Sequence, residues 1–274
     1  MSALSEDPST LPYASPVAIS VCLPARNEGP TIASIVREAL HCTMVEEVVV
    51  IDDGSTDSTA TTASAAGARV VAESAVLPEA GPGSGKGNAL WKSLFACTGD
   101  IICFLDADLR NFHGEYIERL CRPLVTDAGT LLVKASYTRA FEGAPTGGGR
   151  VTELAARPLL SLLFPKLADI SQPLGGEYAA RREVLEVLPF VEGWGVEIGL
   201  LIDIAERFGR DAIAQVDLGM REHRNRPLDE LSPQALEVTA TALQRAGMVE
   251  PVVVRERPPI ITFPAYRARF ARPL

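Results

Sequence analysis

Histidine is scarce in this chain: His41, His113 and His223 are the only three in 274 residues. The five cysteines, Cys22, Cys42, Cys97, Cys103 and Cys121, form no Cys-x-x-Cys pair. A structural zinc site and a dithiol redox couple are therefore excluded, and isolated cysteines in apolar segments read as buried, reduced thiols of a cytoplasmic protein. No apolar run reaches the ~18 residues that a membrane span needs. Glu197 and Asp203 interrupt the most apolar stretch of the second half. Residues 1–15 lack a basic segment followed by an apolar one, so no signal peptide is expected. Positive charge is in deficit, with a formal net charge of −9, which disfavours non-specific nucleic-acid binding. Two catalytic signatures are missing as well. There is no Gly-x-Ser-x-Gly elbow, and Gly85-Lys86-Gly87 cannot be a nucleoside-triphosphate loop because Gly87 stands where Ser or Thr is required.

What remains is a chain of alternating elements. Residues 17–23, 47–51, 68–72 and 100–105 are apolar enough for buried strands, with Pro24 closing the first. Helical spacing falls between them, at 31–40 and 88–97, and residues 81–87 form a Gly/Pro/Ser loop that carries Lys86. Strands alternating with helices predict an α/β fold with a mostly parallel central sheet flanked by helices. The second half predicts strands at 131–137 and 213–218, and helices at about 151–163, 196–208 and 230–246.

In such sheets ligands bind beyond the carboxyl ends of the strands. Three strand ends carry polar groups: Arg26-Asn27-Glu28, Asp52-Asp53 and Asp106-Ala107-Asp108. Residues i and i+2 of an extended chain face one side, so Asp106 and Asp108 form a plausible site for a hard divalent cation. His223 lies in an arginine-rich loop rather than on an apolar face, where an imidazole can complete a metal shell. Gly147-Gly148-Gly149-Arg150-Val151-Thr152 places glycines, an arginine and a hydroxyl at a helix start, a pattern suited to anions.

Taken together, Leu23-Pro24-Ala25-Arg26-Asn27-Glu28, Asp52-Asp53-Gly54-Ser55-Thr56-Asp57 and Asp106-Ala107-Asp108 resemble the donor half of a GT-A-type nucleotide-sugar transferase. The second half narrows the likeness. Gly147 to Glu153, Ala156 to Leu160, Gln172 to Ala179, Gly193 to Gly199 and His223 to Leu228 resemble glucosyl-3-phosphoglycerate synthases, over roughly residues 17 to 248. The resemblance implies retaining transfer of glucose from UDP-glucose to the 2-hydroxyl of 3-phosphoglycerate, with Mg²⁺ or Mn²⁺. A related family uses GDP-mannose, and the donor stays open between the two.

Carried over position by position, the resemblance gives Pro24, Ala25, Arg26, Asn27, Glu28, Asp53, Lys86, Asp106 and Ala107 to the nucleotide sugar. Asp108 and His223 hold the metal. Gly149, Arg150, Val151, Thr152 and Asn225 hold the phosphoglycerate. Trp194, Gly195, Val196 and Glu197 line the sugar pocket, with Glu197 binding hydroxyls rather than acting as nucleophile. Arg221, Glu222, His223, Arg224, Asn225 and Arg226 close over the diphosphate. The implied organisation is a flexible leader at 1–16, a nucleotide-sugar-binding half at 17–138, and an acceptor-binding half of the same GT-A domain at 139–248. A tail at 249–274 follows, a candidate for the interface of the homodimer that the likeness suggests. Rival readings are a polyprenyl-phosphate glycosyltransferase, a nucleotidylyltransferase and a non-catalytic nucleotide-sugar-binding regulator.

Overall fold

The structure, a computed structural model, describes residues 17–141, 144–221, 227–250 and 254–270. The first half runs β1 (Ile19–Ala25), α1 (Gly29–His41), β2 (Glu47–Asp52), α2 (Thr59–Ala65), β3 (Arg69–Ala72), α3 (Gly85–Ala96) and β4 (Ile101–Phe104). The second half continues with α4 (Glu115–Thr126), β5 (Leu132–Phe141), β6 (Ala144–Gly147), α5 (Arg157–Leu163), β7 (Tyr178–Arg181), α6 (Arg182–Leu185), β8 (Phe190–Val191), α7 (Val196–Phe208), β9 (Ile213–Arg221), α8 (Leu228–Arg245), β10 (Glu256–Arg257) and α9 (Pro264–Phe270).

Eight strands form one sheet, in the order β3-β2-β1-β4-β7-β5-β6 with β9 alongside β5. The first four are parallel, as the alternation of elements predicts. β7 is antiparallel to both β4 and β5, while β9 runs parallel to β5. Strand direction depends on which distant segment lies alongside, so sequence periodicity could not supply it.

The apolar runs of β1 and β2 are continuous because both faces of the sheet are covered. Side chains alternate between two cores at the period of 2 that a strand imposes. Val49 and Ile51 face the cluster of Trp91, Phe104 and Tyr178, while Val48 and Val50 face that of Ile32, Ile35 and Leu120. All five cysteines are free and buried, as expected from their isolated placement. No helix among the described residues is long and apolar enough to cross a membrane.

Two local readings change. Pro24 does not end β1, which continues to Ala25 and pairs Pro24 with Ile51. The β4 ladder on the other side stops at Cys22, so the missing N–H of Pro24 faces a position with no ladder partner. Lys86 is not on a loop but in the first turn of α3. There Gly87 permits close packing, since a Cβ would run into the Val191 carbonyl. The tail packs on its own chain: β10 pairs with β8, the Trp91 indole N–H donates to the Pro258 carbonyl at 2.8 Å, and Tyr266 is buried.

At the amino-terminal edge of the sheet, Glu47 accepts hydrogen bonds from the Ser20 hydroxyl at 2.7 Å and the Thr98 amide at 2.6 Å, and pairs with Arg69 at 2.6 Å. Burial disfavours its charge, but the bonds from Arg69, Ser20 and Thr98 outweigh that and bring the carboxyl from 4.5 down to about 2. A carboxyl depressed by folding stabilises above its unfolded value and loses that contribution as pH falls through the folded one. The thermal midpoint should therefore drop between pH 4.5 and about 2, and Glu47→Gln should flatten this acid limb. An unchanged limb in the variant would rule out Glu47 as its source.

Candidate active site

The carboxyl ends of β1, β2 and β4 meet at one edge of the sheet, where the chain changes direction on either side of β1. Past β1 the chain turns through Asn27, whose φ of 57° is left-handed. The turn is held by the acidic loop after β2. Asn27 N–H donates to Ser55 Oγ at 3.0 Å, and Asn27 Oδ1 accepts from the Thr56 amide at 2.8 Å. Glu28 N–H donates to Thr59 Oγ1 at 2.8 Å and Gly29 N–H to Asp57 Oδ2 at 3.2 Å. The Thr31 hydroxyl donates to the Ala107 carbonyl at 2.6 Å, fixing α1 to the end of β4. In the wall beside it, Arg26 and Asp53 pair at 3.7 Å. Burial raises Asp53, with Arg26 partly opposing it.

Asp106 is gripped from two sides. Lys86 Nζ reaches Asp106 Oδ1 at 2.6 Å, and Arg221 Nη2 donates to Asp106 Oδ2 at 2.8 Å. Lys86 also pairs with Glu197 at 2.6 Å. Arg221 extends to Glu177 at 2.8 Å and to Asp108 at 3.5 Å. Burial works against ionisation of Asp106, yet Lys86 and Arg221 hold it far below the usual carboxylate range. Burial likewise works against the Lys86 ammonium, and Asp106 and Glu197 hold it well above the ordinary lysine value. Glu177 is pushed up by burial, which Arg221 only partly offsets. The turn before Glu177 sits directly behind Asp106: a Cβ on Gly176 would overlap the Asp106 carboxylate, and Lys134 Nζ donates to the Gly175 carbonyl at 2.5 Å. Burial lowers Lys134 to about 8.

Above these charges lies a cavity of about 460 Å³, within the range of small-molecule sites. Its wall includes Pro24, Ala25, Arg26, Glu28 and Asp53 from the first two strand ends. Lys86, Asp106, Ala107 and Asp108 form its floor, with Trp194, Glu197 and Arg221 beside them. Gly149, Arg150, Val151 and Thr152 line the same cavity. Gly149 adopts φ 74°, and helical backbone begins at Arg150 and passes through a π turn at Thr152–Ala156 into α5. Two sequence-distant halves thus converge on one cavity, the first bringing hard carboxylates and the second a glycine-opened helix start.

Asn27, Gly195 and Val196 are not in the cavity wall. Asn27 braces the first loop. Val196 is fully buried, and a Cβ on Gly195 would collide with Thr241. Arg221, expected to close over a diphosphate, is instead 5% exposed and is taken up by three carboxylates. Glu222, His223, Arg224, Asn225 and Arg226 lie outside the described residues. Ala89, Arg139, Leu174, Leu231 and Gln234 also line the cavity, although no motif assigned them to it. Only the position of Arg139 near the carboxyl end of a strand could have signalled it.

A strand-end cavity with an Asp-Ala-Asp floor, on a sheet of this order, defines a GT-A glycosyltransferase. The family model described as glycosyl transferase family 2 matches residues 20–171. The glucosyl-3-phosphoglycerate synthase of Mycobacterium tuberculosis (strain CDC 1551 / Oshkosh) is 53% identical, covering 84% of this chain and 74% of that one. That of Petrotoga mobilis is 44% identical over 93% of this chain and 90% of its own. A crystal structure of the M. tuberculosis enzyme with Mn²⁺, uridine-diphosphate-glucose and phosphoglyceric acid has a TM-score of 0.83 at 48% identity, covering 90% of this chain and 91% of that one. The chain belongs to the glucosyl-3-phosphoglycerate synthase family, within glycosyl transferase family 2.

Gly176→Ala tests the backing of Asp106. The added methyl must displace either the turn or the carboxylate, and a displacement near 1 Å in an active site costs ~100-fold in rate. We expect kcat/KM to fall on that order in a protein that still unfolds cooperatively. Wild-type turnover would show that the contact does not position Asp106.

Proposed function

We propose that this protein is a retaining glycosyltransferase that moves glucose from UDP-glucose to the 2-hydroxyl of 3-phosphoglycerate. The observation that carries this reading is the single cavity wall shared by Asp106, Asp108 and Lys86 with Gly149, Arg150 and Thr152. A nucleotide sugar and a phosphorylated acid each need an anion site, and the two must adjoin for transfer. The first group suits the diphosphate side of a donor, and the second an anionic acceptor at a helix start.

The donor set fits a divalent metal. Both oxygens of Asp106 are engaged by Lys86 and Arg221, and Asp108, 3.5 Å from Arg221, is the other hard oxygen group of the pair. Asp108 and His223 are the ligands we assign, for Mg²⁺ or Mn²⁺, and complexes of the M. tuberculosis relative hold Mn²⁺ or Mg²⁺ with UDP. A bound divalent ion supplies charge neutralisation to the departing diphosphate.

The protein's own groups do the rest. Lys86 stays charged beside Asp106 and faces the cavity, where it opposes developing negative charge. Pro24, Ala25, Arg26, Glu28 and Asp53 hold the nucleotide, and Trp194 and Glu197 hold the sugar. Gly149 to Thr152, with Asn225, anchor the phosphoglycerate so that its 2-hydroxyl meets the anomeric carbon, and positioning supplies much of the acceleration. The new bond joins the acceptor oxygen to that carbon as the bond to the phosphate oxygen breaks. The hydroxyl proton passes to the departing phosphate oxygen on the same face, which gives retention without a protein nucleophile. The same reading makes the protein a cytoplasmic homodimer.

The test offers purified protein UDP-glucose and GDP-mannose separately, each with and without 3-phosphoglycerate and Mg²⁺, and follows nucleotide release. Release from UDP-glucose that requires both acceptor and metal is expected. Faster release from GDP-mannose would move the assignment to a mannosyltransferase, and binding without release to a regulator. Asp108→Ala should abolish metal-dependent turnover, and full activity in that variant would overturn the metal assignment.

A further inference from the structure

Arg139 and Arg221 stand side by side as register partners on the parallel strands β5 and β9. Both donate to the Tyr137 hydroxyl, Arg139 Nη2 at 2.8 Å and Arg221 Nη1 at 3.0 Å. Their charges meet different fates. Arg221 is balanced by Asp106, Asp108 and Glu177. Arg139 makes no ion pair with a carboxylate among the described residues, and its buried Nε has no hydrogen-bond partner. An arginine in a partly desolvated wall, with no ion pair to a carboxylate among the described residues, is suited to take an anion there.

Its place says which anion. The Arg139 guanidinium is part of the cavity wall and lies against Gly149. A side chain at Gly149 would press on Arg139 Cδ at 3.3 Å, and the φ of 74° disfavours one in any case. Arg139, packed against Gly149, thus shares the cavity wall with Gly149, Arg150 and Thr152. Lys86, another cation of the cavity wall, is by contrast paired with Asp106 and Glu197.

We propose that Arg139 is a further acceptor-binding residue, whose guanidinium takes an anionic group of the phosphorylated hydroxy acid opposite Gly149. This rests on the acceptor reading above. Two hydrogen-bonding edges suit Arg better than Lys, because the planar fork presents parallel donors where an ammonium presents a point. Tyr137 orients the fork, with the guanidinium carbon 5.2 Å from its ring centroid.

Arg139→Gln and Arg139→Lys, assayed with UDP-glucose, Mg²⁺ and 3-phosphoglycerate, test it. Loss of a charge-assisted contact should raise the KM for 3-phosphoglycerate by ~10-fold or more in Arg139→Gln, and by a smaller factor in Arg139→Lys. The KM for UDP-glucose should stay within about twofold in both. Calorimetric titration of 3-phosphoglycerate into the donor-free protein should show the same weakening. A merely structural role would not separate the two substrates. An acceptor KM unchanged in both variants, or a parallel rise in both KM values, would overturn the inference. Failure of the acceptor reading itself is a separate result, because the wild type would then release no nucleotide in response to 3-phosphoglycerate.

Discussion

The site depends on one arrangement of charge: Asp106 held between Lys86 and Arg221 at the end of β4. Each group is costly to bury alone, and each is kept ionised by the others. Lys86 arrives on the first turn of α3 and Arg221 at the end of β9. Their shared carboxylate ties a helix of the first half to a strand of the second. Glu197 at the start of α7 and Glu177 just before β7 extend the same network. Removing one member would leave a partner charged and uncompensated.

That network also divides the Asp-Ala-Asp element. Spacing puts both carboxylates on one side of the strand, and a reading from spacing alone treats them alike. Tertiary contacts make them different, since Asp106 is saturated by cations while Arg221 stands at 3.5 Å from Asp108. The metal-ligand role proposed for Asp108 and the donor-facing role proposed for Asp106 rest on that asymmetry. The acidic loop after β2 is divided in a similar way. Asp57, Ser55 and Thr56 brace the turn through Asn27 and Gly29, while Asp53, the member that the resemblance gives to the nucleotide sugar, reaches the cavity.

The glycines show how packing rather than flexibility can explain a motif. Gly85-Lys86-Gly87 looks like a phosphate loop in sequence. In the fold, Gly85 and Gly87 let α3 approach the backbone at Gly193 and Val191, and that approach brings Lys86 to Glu197. Gly176 is absent as a side chain for the same reason, with the Asp106 carboxylate occupying the space. Gly85 and Gly149 both combine a left-handed φ with a place in the cavity wall, and only Gly149 stands against the Arg139 side chain.

The sequence by itself determined the alternation of elements, the buried parallel strands and the residues at their carboxyl ends. These are local properties: apolar runs, periodicity and the side-chain types next to them. Residue types also marked Asp106, Asp108, Lys86 and the Gly149–Thr152 turn, because their chemistry is visible without coordinates. Only the tertiary structure decided the antiparallel insertion of β7, the spending of Arg221 on three carboxylates, and the turning of Gly195 and Val196 away from the cavity. It alone revealed Arg139 as a cation without a carboxylate partner among the described residues. The reason is physical. Whether a charged side chain is satisfied depends on groups 80 or more residues away, as the distance from Tyr137 to Arg221 along the chain illustrates, and no local pattern encodes that pairing.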